Sequence, residues 1–337
     1  MIRTAQLARC FTLLFATATL GVASGCDDGG GAGGNGGVSN GSSSSADGST
    51  AESGSSAQSG SNGSSTSSST GVGGSGGYAD LSSLPADSGG THTPHPRGST
   101  DADYGYYLYL PGGYDATTQS YPLVVFLHGK GERGNGVAEL SRVLKLGIPD
   151  IIEAGGWAPT YPMIVASPQY PSPDNMGNDN NWGEGDPLQI KGFIEHVMAN
   201  YRINSTRIYL TGLSHGGNGV FDYLTRQEEA TSHIAAAAPI AAYGPNSSLD
   251  TPLHTPIWVF VGSDDTTNFN TSKNFVTKYN AQVPGPQYPA KFTVYPGAGH
   301  DVWKRTYDLS GLGTADPVYD PYDMSLYDWM FQYKRAN

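Results

Sequence analysis

Arg207-Ile-Tyr-Leu-Thr-Gly-Leu-Ser-His-Gly-Gly217 decides the fold. Ile208, Tyr209 and Leu210 form a β-branched, aromatic and aliphatic run suited to a buried strand. The run ends in Gly212-Leu-Ser-His-Gly216 and passes into Asn218-Gly-Val-Phe-Asp-Tyr-Leu-Thr225, which has helical spacing. Strand, sharp turn and helix is the setting of a nucleophile elbow, where a serine hydroxyl stands above the end of a strand. Glycines at 212 and 216 suit so tight a turn, because side chains there would collide. The helix opening beneath Ser214 would bring its partial positive charge close to the hydroxyl. The same spacing recurs in Gly37-Val-Ser-Asn-Gly41 and Gly73-Gly-Ser-Gly-Gly77. Neither follows an apolar run nor opens a helix, so both reflect composition. The competing reading of Ser214 is a purely structural strand-to-helix turn.

Outward from the elbow, continuous apolar runs mark strands buried on both faces. They are Leu123–Leu127, Met163–Ala166, Ile234–Ala238 and Ile257–Gly262, and Lys291–Tyr295 is the last strand. Tyr106–Leu110, closed by Pro111-Gly-Gly, is expected as an early edge strand whose tyrosines pack rather than form a substrate platform. Helical spacing runs through Leu140, Val143, Leu144 and Ile148. It returns in Ile190, Phe193, Ile194, Val197 and Tyr201, after a cap signal at Asp186-Pro187. Alternating strands and helices predict an α/β class: a mostly parallel, doubly wound sheet with helices on both faces.

The strand ends carry the chemistry. Asp264 and Asp265 follow the run that ends at Gly262, and His300 lies in Pro296-Gly-Ala-Gly-His300. A strand-end carboxylate can hold an imidazole in one tautomer and stabilise its cation, and that imidazole can take a serine proton. Ser214, Asp265 and His300 are therefore the candidate catalytic residues, with Asp264 as the alternative acid. Asp301, next to His300 in sequence, is badly placed to orient it. An oxyanion needs two N–H donors; around a nucleophile elbow they come from a loop after an early strand and from the residue after the nucleophile. In this chain those are the backbone N–H groups of Lys130, within His128-Gly-Lys-Gly-Glu-Arg-Gly134, and of His215. His128 is expected to brace that loop by hydrogen bonds. The polar loop from Ser167 to Gly185 carries Asn175, Asn178, Asn180, Asn181 and Trp182; Trp182 and Trp303 are candidate substrate contacts. No ligand spacing predicts a metal, and no cofactor is expected.

Residues 1–25 read as a secretory signal: Arg3 and Arg9, an apolar run, then Ala23-Ser-Gly25 before Cys26. Small residues running into a cysteine resemble a bacterial lipoprotein box, which makes Cys26 the lipidated residue; plain cleavage with a free Cys26 is the alternative. Cys10 lies in the signal, so the remaining chain has no disulfide and no thiol nucleophile. Residues 26–95 are expected to be the lipidated cysteine and a Gly/Ser-rich disordered linker, in which His92 and His95 are linker residues rather than metal ligands. Roughly 60 such residues reach about 40–45 Å by the square-root law. Residues 96–337 then form one catalytic domain. Without Arg3 and Arg9, 16 basic residues face 30 acidic ones, a net charge of −14. No basic stripe argues for nucleic acid, and contact with a membrane is expected only through the lipid anchor. An exported, envelope-bound or secreted monomer is the resulting expectation.

Leu127-His-Gly-Lys-Gly-Glu-Arg-Gly134, Gly147-Ile-Pro-Asp-Ile-Ile-Glu-Ala-Gly155, Ser167-Pro-Gln169, the elbow and Gly297-Ala-Gly-His300 together resemble exported bacterial α/β-hydrolases. Those proteins belong to the peptidase and phospholipase/carboxylesterase group, related to feruloyl and acetylxylan esterases and to polyhydroxybutyrate depolymerases. The order Ser214, Asp265, His300 is the order they use. This chain departs at His215, where Met, Gln or Ala is commoner, and at Thr266-Thr-Asn-Phe-Asn270, which lacks the usual apolar run after the acid. The resemblance implies a serine carboxylic-ester hydrolase acting on extracellular esters: polysaccharide-linked or phenolic acyl esters, or short acyl esters. Polyester depolymerisation and peptide hydrolysis are its rivals in chemistry. An inactive hydrolase-fold binding module is the rival from another class.

Overall fold

The computed structural model describes residues 80–171, 182, 187–226, 232–245 and 254–335. All belong to the compact unit Ser69–Asn337. The expected signal, Cys26, most of the linker, Asp186 and the asparagines of the polar loop lie outside the described residues.

Eight strands form one sheet: β1 Thr91–His95, β2 Tyr106–Leu110, β3 Tyr121–Leu127, β4 Ile164–Pro168, β5 Ile203–Leu213, β6 Ala236–Ile240, β7 Trp258–Gly262 and β8 Lys291–Tyr295. Their order is β1-β2-β4-β3-β5-β6-β7-β8. β2 runs antiparallel to both β1 and β4; β3 through β8 are mutually parallel, with Val125 beside Leu210 and Leu210 beside Ala237. Strands β3, β4, β6 and β7 are buried along their length, as continuous apolar runs require when both faces are covered.

Among the described residues the α-helices are α1 Gly147–Glu153, α2 Pro187–Asn200, α3 His215–Arg226, α4 Thr266–Asn280, α5 Trp303–Tyr307 and α6 Leu326–Phe331. Alternation along β3 shows how they cover both faces. The Phe126 ring meets Tyr307 of α5 edge-on at 5.6 Å and lies under Gly147 of α1. Leu127, pointing the other way, lies under Gly219 of α3. The helical run through Leu140 to Ile148 is split into a 3-10 segment, Leu140–Lys145, and α1, with Gly147 at φ 73° as the break.

Two expectations are corrected at the amino-terminal side. Tyr106–Leu110 is not an edge strand, because β1 pairs with its outer side. The linker expected to run to residue 95 therefore ends earlier: Leu81 and Leu84 join the core, and Thr91–His95 is a strand. The stretch keeps a polar sequence because most of the strand is exposed and it is held by partner aromatics rather than by its own apolar residues. The His95 ring stacks on Tyr106 at 4.5 Å, and His92 tilts against Tyr107 at 5.0 Å. Pro94 is tolerated because β1 is now the edge. At the other side of the sheet, Asp316 N–H donates to Val294 O at 2.8 Å and Asp320 N–H to Phe292 O at 3.0 Å. That segment covers the open side of β8.

Asp80 also belongs to the fold. Its carboxylate accepts Nε and Nη2 of Arg207 at 2.9 and 3.1 Å, while Arg207 Nη1 donates to Phe331 O at 2.7 Å. Arg207 is 1% exposed, so its guanidinium depends on these partners rather than on water. Asp80→Ala in the full chain is expected to cost about 2–4 kcal/mol in urea unfolding, because a buried cation loses its counter-ion. Lys334→Ala, which removes the more exposed 3.0 Å pair to the same carboxylate, is expected to cost less than about 1 kcal/mol.

Candidate active site

The parallel arrangement brings the carboxyl ends of β3, β5, β7 and β8 to one edge of the sheet, where α/β folds present functional loops. At the end of β5 the chain turns through Ser214 into α3. Ser214 adopts φ 53°, a left-handed conformation that a non-glycine residue keeps only when its surroundings impose it. Close approach imposes it here. A Cβ at Gly216 would sit 1.9 Å from Leu127 O, and one at Gly212 would sit 2.5 Å from the Gly216 backbone. Backbone bonds hold the turn: Ser214 N–H donates to Ile240 O at 2.9 Å, and Asn218 N–H to Ser214 O at 3.0 Å.

The structure brings together Ser214, His300 and Asp265. Ser214 Oγ lies 2.9 Å from His300 Nε2, and His300 Nδ1 lies 2.6 Å from Asp265 Oδ2. With Nδ1–H donating to the carboxylate, Nε2 is left to accept the serine proton. Asp264 takes no part: its Oδ1 accepts Ser263 Oγ–H at 2.9 Å. The loops carrying acid and base are locked to each other. Asp264 N–H donates to Ala298 O at 2.9 Å, Ser263 N–H to Tyr295 O at 3.0 Å, and Gly297 N–H to Ser263 Oγ at 2.8 Å. Asp265 occupies the N-cap position of α4 but makes no side-chain capping bond, so its carboxylate remains with the imidazole. His300 keeps 45% of its side chain exposed and meets the half-buried Trp303 edge-on at 5.2 Å.

The loop after β3 is the other half of the site. Its 3-10 turn, Lys130–Glu132, begins one residue past Gly129, where a Cβ would lie 2.8 Å from Leu213 Cδ1. The residue before Lys130 thus packs against Leu213, two residues before His215. His128 braces this loop: it is fully buried, Nδ1–H donates to Gly129 O at 2.6 Å, and Nε2 accepts Tyr170 N–H at 2.9 Å. Burial pushes its pKa down to about 4, and Nε2, already an acceptor, has no room for a second proton. Trp182, expected as a substrate contact, serves the brace instead. It is 1% exposed, its Nε1–H donates to His128 O at 2.8 Å, and its ring meets those of His128, Tyr170 and Tyr104.

Two residues of this arrangement carried no assigned role in the sequence reading. Gln169 is buried and staples the loop after β3: Nε2 donates to Glu132 O and Glu139 O at 3.0 and 2.7 Å, and Oε1 accepts Gly136 N–H at 2.8 Å. Its signal was the Ser167-Pro-Gln169 run at the end of a strand. Asn268, on the first turn of α4, lies against both Asp265 and His300. Its signal was the unusual polar segment after the acid.

No family model matches the chain. Over 277 residues it is 30% identical to poly(3-hydroxyalkanoate) depolymerase C of Paucimonas lemoignei, covering 66% of this chain and 61% of that protein. Over 117 residues it is 30% identical to a bifunctional acetylxylan esterase/xylanase of Neocallimastix patriciarum, covering 34% and 17%. The chain thus spans less than two thirds of the length of these relatives. Among solved structures, it is similar to the feruloyl esterase module from Clostridium thermocellum complexed with sinapinate, with a TM-score of 0.50 at 15% identity, covering 74% of this chain and 90% of that one. S-formylglutathione hydrolase from Staphylococcus aureus superposes with a TM-score of 0.50 at 14% identity, covering 74% and 99%. The architecture is that of the α/β-hydrolases.

The buried His128 gives stability a definite pH dependence. Its folded pKa is below the ordinary histidine value, so the unfolded chain binds the proton more tightly. The stabilisation is complete above pH 6.5 and is lost as pH falls from there towards 4, by about 3 kcal/mol. His128→Gln is expected to be less stable than the parent at pH 8 and to lose less than the parent between pH 7 and pH 4. Urea unfolding across that range checks it; parallel losses in both proteins would remove His128 as the cause.

Proposed function

We propose that this chain is a serine hydrolase of carboxylic esters that works through an acyl-enzyme. The observation that carries the reading is the continuous line of hydrogen bonds from Ser214 Oγ through both nitrogens of His300 to Asp265, at 2.9 and 2.6 Å. Ser214 Oγ attacks the ester carbonyl as its proton passes to His300 Nε2. Asp265 stabilises the imidazolium formed. The backbone N–H groups of Lys130 and His215 receive the oxyanion, each donor contributing on the order of 3–4 kcal/mol to the transition state. As the tetrahedral intermediate collapses, His300 returns the proton to the leaving alcohol. Water then attacks the acyl-enzyme, giving its proton to the same nitrogen, and Ser214 leaves with that proton as the carboxylic acid departs.

The substrate class we favour is an ester met outside the cell, with an acyl group on polysaccharide, a phenolic acid or a short acid. The reading of residues 1–25 as a lipoprotein signal and of Cys26 as a lipid anchor places the enzyme there. The Gly/Ser-rich tether would let the catalytic domain reach bulky material. Trp303, beside His300, offers an aromatic wall to the bound ester. Polyester hydrolysis is the second reading, favoured by the 277-residue similarity to a poly(3-hydroxyalkanoate) depolymerase.

Purified protein is expected to hydrolyse p-nitrophenyl acetate and to take a fluorophosphonate on Ser214. Ser214→Ala is expected to lose both, with kcat down by on the order of 10⁴-fold or more. Turnover that survives Ser214→Ala would assign the nucleophile elsewhere. Methyl ferulate, acetylated xylan and a poly(3-hydroxyalkanoate) film, compared in one assay series, separate the two substrate readings by which acid is released fastest.

A further inference from the structure

Asn268 stands where the segment after the acid departs from its expected apolar character. Its Nδ2 donates to Asp265 Oδ2 at 2.9 Å and to Ala241 O at 3.3 Å, using both amide hydrogens. The same nitrogen lies 3.2 Å from His300 Nδ1. Two donors sit that close without conflict here because both point at one acceptor, Asp265 Oδ2. Ala241 is itself constrained: it adopts φ 49°, and its N–H donates to Phe260 O at 2.8 Å. The residue before it, Ile240, accepts the Ser214 N–H at 2.9 Å. One unbroken path therefore runs from the backbone of the nucleophile, through the turn after β6 and the Asn268 amide, to the carboxylate facing His300.

We propose that Asn268 is a positioning residue for the acid and base of this site, a role that rests on the ester-hydrolase reading. By donating to Oδ2 it fixes the rotation of the Asp265 carboxylate. By tying that carboxylate to Ala241 O it sets the distance between acid and nucleophile turn. The arrangement has a second edge. Without the Asp265 carboxylate, the Asn268 amide is left beside Nδ1, where it would donate to a bare nitrogen and favour the Nε2–H tautomer, which cannot accept the serine proton. Asn268 thus assists the base only in company with Asp265 and opposes it otherwise.

The test is a double-mutant cycle with a structural readout. Asn268→Leu and Asn268→Ala are expected to lower kcat about 10- to 100-fold, the size of a lost hydrogen bond to a charged group, with KM within about twofold. Thermal unfolding measured on both variants identifies any loss due to misfolding. Asp265→Ala combined with Asn268→Leu is expected to be no slower than Asp265→Ala alone, because the competing donor has gone; a further loss of the full single-mutant size would overturn the proposal. The ¹H–¹⁵N signal of His300 Nδ1–H needs no turnover. It is expected in the parent and weakened or shifted in Asn268→Leu; an unchanged signal would also overturn the proposal. If the parent hydrolyses no ester while that signal behaves as expected, the ester-hydrolase reading fails and the positioning role stands.

Discussion

The architecture depends on how closely the turn at Ser214 approaches the end of β3. Gly216 lies so near the Leu127 carbonyl that any side chain would overlap it. Gly212, at the end of β5, closes against Gly216 from the opposite side. This contact forces the left-handed conformation of Ser214, which costs on the order of 1–3 kcal/mol by itself. The cost is offset locally by the bonds of Ser214 to Ile240 and Asn218, and globally by a sheet in which β3, β5 and β6 are fixed neighbours. A flexible surface loop could not hold a serine in this state. The parallel sheet therefore does more than carry the site: its spacing creates the strain that exposes the hydroxyl.

With the turn fixed, the remaining groups are placed by loops that brace one another. Acid and base come from the ends of β7 and β8, adjacent strands whose following loops exchange three hydrogen bonds. The loop after β3 is supported by His128, Gln169 and Trp182, all buried and all bonded to backbone. Buried side chains take up several of its backbone groups, so the loop holds its shape without being part of the sheet.

The parts legible in the sequence were those whose physics is local. Apolar runs located β3, β4, β6, β7 and β8 within a few residues and the buried end of β5, whose start at Ile203 lies in a polar stretch that reads as a turn; glycine spacing with a following helix located the elbow. The order of Ser214, Asp265 and His300 could be read because each sits at a strand end. What stayed hidden depended on partners distant in sequence. Thr91–His95 has no apolar period of its own; it becomes a strand because Tyr106 and Tyr107 pack against its histidines. Trp182, in a polar loop rich in asparagine, suggested an exposed aromatic, yet it fills the space under Gly219 and caps His128. Asn268 was visible only as a departure from pattern, since its meaning lies in the Asp265 and Ala241 atoms it reaches.

His128 and His300 show how one residue type takes opposite roles by environment. Both end a β-strand region and both use two ring nitrogens. His128 is sealed from solvent, held neutral by desolvation, and bonded through both nitrogens to main-chain groups that never change their protonation. Protonating it would break a bond to Tyr170 and bury a charge, so it is inert as a base. His300 is nearly half exposed, and its two partners are a hydroxyl that can lose a proton and a carboxylate that can stabilise the resulting cation. In the proposed reaction, proton transfer would relocate charge between groups already aligned to receive it, with no buried charge left unpaired. The fold supplies rigidity through the first histidine and reactivity through the second, and exchanging their surroundings would remove both.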